Sequence, residues 1–400
     1  MPNTQLIDNE TGISKSLVFL FSVIGGAAVG NLYWAHPLLK YIAESMNISL
    51  ELSSFIVTVT QLGYAMGVFL IVPLGDILNR KKLIPRVMFT SSIALMGCAL
   101  APNYYLLLLS LFLVGLTTVT GQLLVPLAGD LAKAEERGRV IGAIVSGILT
   151  GILLSRTISG IVADVFGWRS IYFLASITTL FFAFMLNKNI PTTKPKATAS
   201  YLRLLQSVFA CIYKYREVQL VVILSATIFC VFTLFWTGIT FLLSSSTYNY
   251  SMTQIGMVGL VGLAGAVAAK RAGYLYDKGW SFQATIAALI AVLLSLLIAN
   301  IGGHSIAALL LVVLLIDIAI QTLNVINQTK VCSVEPALRS RLNTAFVVCN
   351  FIGGSIGSSA AGSLWQMGGW SAIIIGQTAL ALVALFIVVI GKQQYAAKEI

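Results

Sequence analysis

Charge is scarce in this chain: of 400 residues, 25 are Lys or Arg and 14 are Asp or Glu, whereas soluble domains are roughly one-quarter charged. A water-facing surface of ordinary extent cannot be built from so few charges, which excludes a soluble globular domain. Histidine occurs twice and cysteine five times (Cys98, Cys211, Cys230, Cys332, Cys349), with no Cys-x-x-Cys spacing. That poverty argues against a disulfide framework and a metal centre, and no metal ligands are assigned. Neither His-Glu-x-x-His nor a Gly-rich phosphate loop ending in Gly-Lys occurs, and no nucleophile is convincingly paired with a histidine. An enzyme or an ATP-driven pump is therefore not expected, and no cofactor is implied. The opening stretch MPNTQLIDNETGISKS lacks the basic region and cleavage site of a signal peptide, so the first apolar run is expected to remain on the chain.

What the chain has instead is apolar length. Runs of about 20 residues, enough to cross roughly 30 Å of hydrocarbon as a helix, recur throughout, and twelve are placed at 17–40, 52–74, 83–101, 104–126, 138–163, 168–186, 218–244, 253–274, 281–300, 304–328, 340–366 and 370–390. The expected class is an all-α integral membrane protein. Basic residues gather on the cytoplasmic side of short loops. With the amino terminus inside, 22 of the 25 Lys and Arg fall on that side, and only Lys40, Arg156 and Arg169 remain over. An even number of spans with both termini cytoplasmic follows, as expected of a multi-pass membrane protein. The net charge of +11 then faces anionic lipid, and no nucleic acid partner is needed to explain it.

The polar segment NKNIPTTKPKATASYLRLLQ divides the spans six and six. Expected units are a first six-helix bundle over 1–186, a cytoplasmic linker over 187–217 and a second bundle over 218–400. At an offset of 202 residues the halves coincide: Asn31-Leu-Tyr-Trp34 meets Thr233-Leu-Phe-Trp236, Arg137 and Arg139 meet Arg339 and Arg341, and Gly151, Gly160, Gly167 and Trp168 meet Gly353, Gly362, Gly369 and Trp370. Two parallel six-helix repeats are a transporter architecture, with the site near mid-membrane between the repeats.

The loop PLGDILNRKKL after the second span carries Asp76, Arg80 and Lys81 in the spacing of the pattern GxxxDRxGRR, with Val72, Ile77 and Asn79 departing from it; GYLYDKG in the second half keeps Gly273, Asp277 and Gly279 in register. By these residues the chain resembles the major facilitator superfamily over nearly its whole length. SGILTGILLSRTISG is similar to the fifth-helix glycine motif of proton-driven drug antiporters, with Ile152 where that motif has Pro, and NLYWAHPLL is similar to bacterial efflux permeases. The resemblance implies a secondary transporter working by alternating access. Its substrate is a small organic solute, exported in exchange for protons or, alternatively, taken up with them as an anionic metabolite. A monomer in the lipid bilayer, with protons as the coupling partner, is expected. The resemblance also makes Asp76, Arg80, Lys81, Gly273 and Asp277, with Asp130 on the same side, a gating latch. It further places Asn31, Gln122, Thr233 and Trp236 on cavity-lining helices; Trp34 and Tyr33 beside them are candidates to stack on a solute, or equally packed aromatics.

Gly147, Gly151, Ser155 and Ser159 step by four along the fifth span, with Gly160 beyond them, and Gly353 and Gly357 hold comparable places in the eleventh. Small-residue stripes permit close helix contact, and the expected partner of the fifth span is Gly256, Gly259, Gly262 and Gly265 on the eighth. In the tenth span Asp317, Gln321, Asn324 and Gln328 fall within about 60° of arc, too narrow a polar stripe to face lipid. Asp317 is the proton-coupling candidate, because an acid at that depth marks a pathway. Arg156 lies roughly 10 Å from the outer end of its helix and cannot shed its charge. It needs Asp164, two turns outward, or a cavity in which it attracts an anionic solute or communicates with the proton site.

Overall fold

The structure is a computed structural model that describes residues 12–133, 135–192, 200–335 and 338–392, without the side chains of 263, 264 and 266–270. The polar first eleven residues, Lys194, Lys196, Lys398 and the Lys270 side chain lie outside the described residues. Among those residues, nine helices are long and apolar enough to cross a membrane. One of them, α16 (Arg339–Ile390), would run to about 78 Å at 1.5 Å per residue, more than twice a hydrocarbon core. Non-helical backbone at Gly368 and Gly369, the latter at φ 58°, breaks it into two crossings.

Four crossings are interrupted, the first and the eighth by a 3-10 turn. The first runs through α1 (Lys15–Gly30), a turn over 31–35, a 3-10 turn His36–Leu38 and α2 (Leu39–Ser45); the eighth runs through α12 (Met252–Val258), a 3-10 turn Gly259–Gly262 and α13 (Leu263–Asp277). The remaining crossings are α3 with α4 (Ser54–Leu70, Leu74–Ile77), α5 (Arg80–Leu100), α6 with α7 (Tyr104–Thr117, Thr120–Leu131), α8 (Arg137–Phe166), α9 (Trp168–Asn189), α11 (Arg216–Ser244), α14 (Ser281–Ile301) and α15 (Ile306–Ser333). Twelve crossings result. The end at which α5, α8 and α16 begin, with Arg80, Lys81, Arg137, Arg139, Arg339 and Arg341, is the basic end.

An amphipathic α10 (Tyr201–Lys214) lies between the halves, burying Leu204, Val208 and Cys211. Its Tyr201 hydroxyl donates to the Leu70 carbonyl at 2.7 Å.

The duplication is visible in atomic contacts. A Cβ on Gly151 would meet the Gly26 carbonyl of α1, and one on Gly353 would meet the Ala226 carbonyl of α11. Ser155 packs beside Gly30 as Gly357 packs beside Cys230. At the end opposite the basic one the pattern crosses between halves: Gly160 abuts the Met252 carbonyl, and Gly362 abuts the Glu51 carbonyl. Removing Cβ at these points lets two backbones approach closely. The fifth-span stripe is thereby corrected: Gly147 and Gly151 seat α8 against Ser22 and Gly26 of α1, and the eighth crossing is met by Arg156, Thr157 and Gly160 instead. A run of small residues specifies close approach, not the partner.

Candidate functional site

Arg156 is 2% exposed, and an aromatic cage surrounds its guanidinium. The carbon centre lies 3.8 Å from the Trp236 ring centroid, 5.3 Å from Tyr33 and 6.0 Å from Phe232. Ring faces attract a desolvated cation by about 2 kcal/mol, which offsets part of the cost of its burial. The Trp236 indole has a second partner. Its Nε1–H donates to Asp317 Oδ1 at 3.3 Å, and Asp317 is 4% exposed. One indole thus links a cation of the first half to an acid of the second, which stay farther apart than an ion pair: among the described residues the ion pairs within 4 Å are Arg80–Asp76, Arg80–Asp130 and Arg139–Glu136.

The glycines of the eighth crossing make room for both groups. Gly256 faces the Arg156 carbonyl and Gly259 the Arg156 side chain, while a Cβ on Gly262 would collide with the Asp317 carboxylate. Gly265 touches the Asp317 backbone and the Gln321 stem. The tight 3-10 turn at Gly259–Gly262 sits at this junction, where the helix repeat is traded for backbone closeness.

Asp164 is engaged elsewhere. Its carboxylate accepts from Ser251 Oγ at 2.8 Å, Met252 N at 3.1 Å and Thr253 N at 2.7 Å, capping amides that have no partner within α12. Arg156 has no share in it. Further bonds between the halves cluster at that end, from Thr157 Oγ1 to the Gly256 carbonyl (3.1 Å) and between the Thr58 and Ser358 hydroxyls (2.9 Å).

The other residues singled out in the sequence disperse. Trp34 Nε1 donates to Asn31 Oδ1 at 2.8 Å, and both line a lateral groove of about 500 Å³ between α1, α8 and α9, with Phe19, Gly151, Leu154 and Leu174. The turn after Gly30 presents Tyr33 and His36 to Arg156 in their stead: His36, Arg156 and Trp236 share a small cavity of about 10 Å³. Gln122 donates to the Tyr64 hydroxyl at 3.2 Å, and the Tyr64 ring packs, tilted, 4.4 Å from that of Phe351 in the second half. The Thr233 hydroxyl is spent on the Phe229 carbonyl. The polar stripe of the tenth span divides: Asp317 and Gln321 face the eighth crossing, whereas Asn324 accepts from Asn350 (3.2 Å) and Gln328 donates to Asn343 (2.8 Å) in α16. Tyr33 is the stacking candidate that reaches Arg156; Phe232 carried no periodic signal in its apolar run, and Pro37 marks the broken helix that aims Tyr33 and His36.

At the basic end, the buried Arg80 donates through Nε to the Gly75 carbonyl (2.7 Å), through Nη1 to Asp130 (2.7 Å) and through Nη2 to Asp76 (3.1 Å). Lys81 gives its backbone amide to the Asn79 cap at 3.0 Å. In the second half a Cβ on Gly273 would meet open space, and Asp277 closes α13.

The family model described as Major Facilitator Superfamily matches residues 17–358. An uncharacterized transporter of Escherichia coli O157:H7, YgaY, is 37% identical over 375 residues, covering 94% of this chain and 95% of its own. The probable transporter SCO4007 of Streptomyces coelicolor is 28% identical, covering 91% and 86%. Among solved structures, the nucleoside transporter NupG superposes with a TM-score of 0.75 at 14% identity, covering 94% of this chain and 99% of that one, a likeness of fold. With twelve crossings in two repeats, a buried cation and acid where the repeats meet, and a matching family model over most of its length, the chain belongs to the Major Facilitator Superfamily and is a multi-pass membrane transporter of small solutes.

Proposed function

We propose that this chain is a proton-coupled secondary transporter in which Asp317 carries the coupling proton and the solute binds between Arg156 and Trp236. The observation that carries the reading is the shared indole. Asp317 is the one buried Asp or Glu among the described residues, and it answers to a cation on the opposite half through Trp236. An acid placed so can change protonation as the halves rock, whereas Arg156 keeps its charge throughout. The protein works as a monomer in a bacterial inner membrane, with the basic end and both termini cytoplasmic in keeping with the distribution of Lys and Arg.

The cation also bears on direction. Export by exchange, the direction implied by the fifth-helix resemblance, requires solute and proton to compete. A solute that brings negative charge to Arg156 instead relieves Asp317 of neutralising it, so solute and proton bind together; this favours uptake by symport. Proteoliposomes given pH gradients of either sign test the reading with a solute panel. Accumulation along the imposed proton gradient, lost in Asp317→Asn while counterflow persists, is expected. A variant that still concentrates solute with wild-type pH dependence removes the proton role from Asp317, and solute movement opposite to the proton establishes exchange.

A further inference from the structure

The guanidinium of Arg156 is incompletely used. No acceptor among the described residues reaches its Nε or its Nη2, although both are buried. These two nitrogens are not an arbitrary pair. Nε–H and the Nη2–H beside it project from one edge of the planar group, the side-on fork that matches the two oxygens of a carboxylate. Aromatic rings already crowd the group, since its carbon centre lies 3.8 Å over the Trp236 ring with Tyr33 and Phe232 nearby. What Arg156 still offers is therefore an edge, ringed by aromatic surface. His36 lies in the same place: it is 2% exposed, lines the same cavity as Arg156, and neither of its ring nitrogens has a partner among the described residues.

Resting on the reading above, we infer that the solute is an organic carboxylate with a flat apolar body, gripped side-on by Nε and Nη2 of Arg156, with His36 a further hydrogen-bonding group for its polar end. A neutral solute would leave the fork unanswered, and burying an unpaired charge is costly. A cationic solute would add repulsion. The cavity of about 10 Å³ has room for roughly one water, so the carboxylate enters as the halves part at that end. Charge balance fixes the rest: a bound carboxylate neutralises Arg156, and Asp317 then takes up a proton. The described titratable and charged groups around Asp317 are Arg156 from α8 and, beside Arg156, Tyr33 and His36 of the first crossing. No second acid competes for the proton among them.

The test is binding to the full chain in detergent, followed by tryptophan fluorescence and thermal shift, with acetate, benzoate and phenylacetate as probes and the methyl esters of the last two as neutral controls. Aromatic carboxylates are expected to bind and their esters not, with affinity rising as pH falls from 8 to 6 (about these limits, spanning the range in which a buried acid can titrate). Arg156→Lys keeps the charge but loses the fork and should weaken binding about tenfold or more. Asp317→Asn should tighten it about tenfold at neutral pH and flatten the pH dependence, a gain that misfolding cannot imitate. Equal binding of ester and acid, wild-type affinity in Arg156→Lys, or no carboxylate binding across the panel would overturn the inference. Carboxylate binding without proton-driven transport would leave it standing and remove the coupling reading; proton-driven transport of neutral solutes that ignores Arg156 would do the reverse.

Discussion

Asp164 and Thr253 belong to opposite halves of the molecule, and the carboxylate of the first accepts the backbone amide of the second at 2.7 Å. With Ser251 and Met252 as further donors, one side chain caps a helix that it does not belong to. The bond exists only while the halves are closed at that end. Asp164→Ala should therefore shift the population toward forms open there by roughly tenfold, ~1.4 kcal/mol. In a chain with its five native cysteines replaced by Ser, the labelling rate of Ile255→Cys by a membrane-impermeant maleimide reads this shift. An unchanged rate would show that the cap contributes nothing to closure.

Gly160 and Gly362 make equivalent seals, on the Met252 and Glu51 carbonyls. Valine at either position should hold that end apart and reduce transport about tenfold or more, with similar labelling at Ile255→Cys in both. Gly142→Val serves as the control, since a Cβ there meets nothing within 4 Å. If Gly142→Val impairs transport as much as the other two, bulk in the helices is at fault and the seals are not.

Trp236→Phe keeps a ring for Arg156 but removes the donor to Asp317, while Gly262→Ala keeps the donor and pushes the carboxylate away from it. Both break one bond, so their effects should not add. Each is expected to lower proton-driven transport about tenfold, and the double variant should be no worse than the more severe single one. Strictly additive losses would separate the two contacts.

At the basic end, Arg80→Lys retains charge but cannot reach Gly75, Asp76 and Asp130 together. A loss of about 2–4 kcal/mol in stability is expected, since buried charge-assisted bonds are the costly ones to break. Asp76→Asn should be milder in stability, because the shorter bond to Asp130 survives, yet should still impair transport. A melting temperature unchanged in Arg80→Lys, or full transport in Asp76→Asn, would contradict this account of the cluster.

Much of this was legible before any coordinates. Span lengths and the offset of 202 residues pointed to the architecture, and the polarity of Asp317 to an acid kept from lipid, because membrane thickness and the cost of a buried charge leave few choices. What stayed hidden is local. Of the two stacking candidates, Tyr33 reaches Arg156 and Trp34 does not, because the turn after Gly30 breaks the 100° step and turns Tyr33 and His36 toward Arg156. Asp164 was a candidate partner of Arg156 by its distance along one helix, yet three donors of another chain segment outbid it. The glycines of α8 signalled closeness without saying to what. Non-local contacts of this kind leave no period in the sequence.

The two halves repeat each other in scaffold but not in chemistry. At the offset that pairs their glycines, Arg156 corresponds to Ser358, and Asp317 corresponds to Gly115. Ser358 is occupied with Thr58, and Gly115 presses on the Thr60 carbonyl. Duplication alone would have produced a pair of interchangeable sites. With the charge present in only one member of each pair, the site proposed above is a single head-and-tail slot, so one solute is expected to bind in one orientation per turnover and the rate to saturate hyperbolically with concentration.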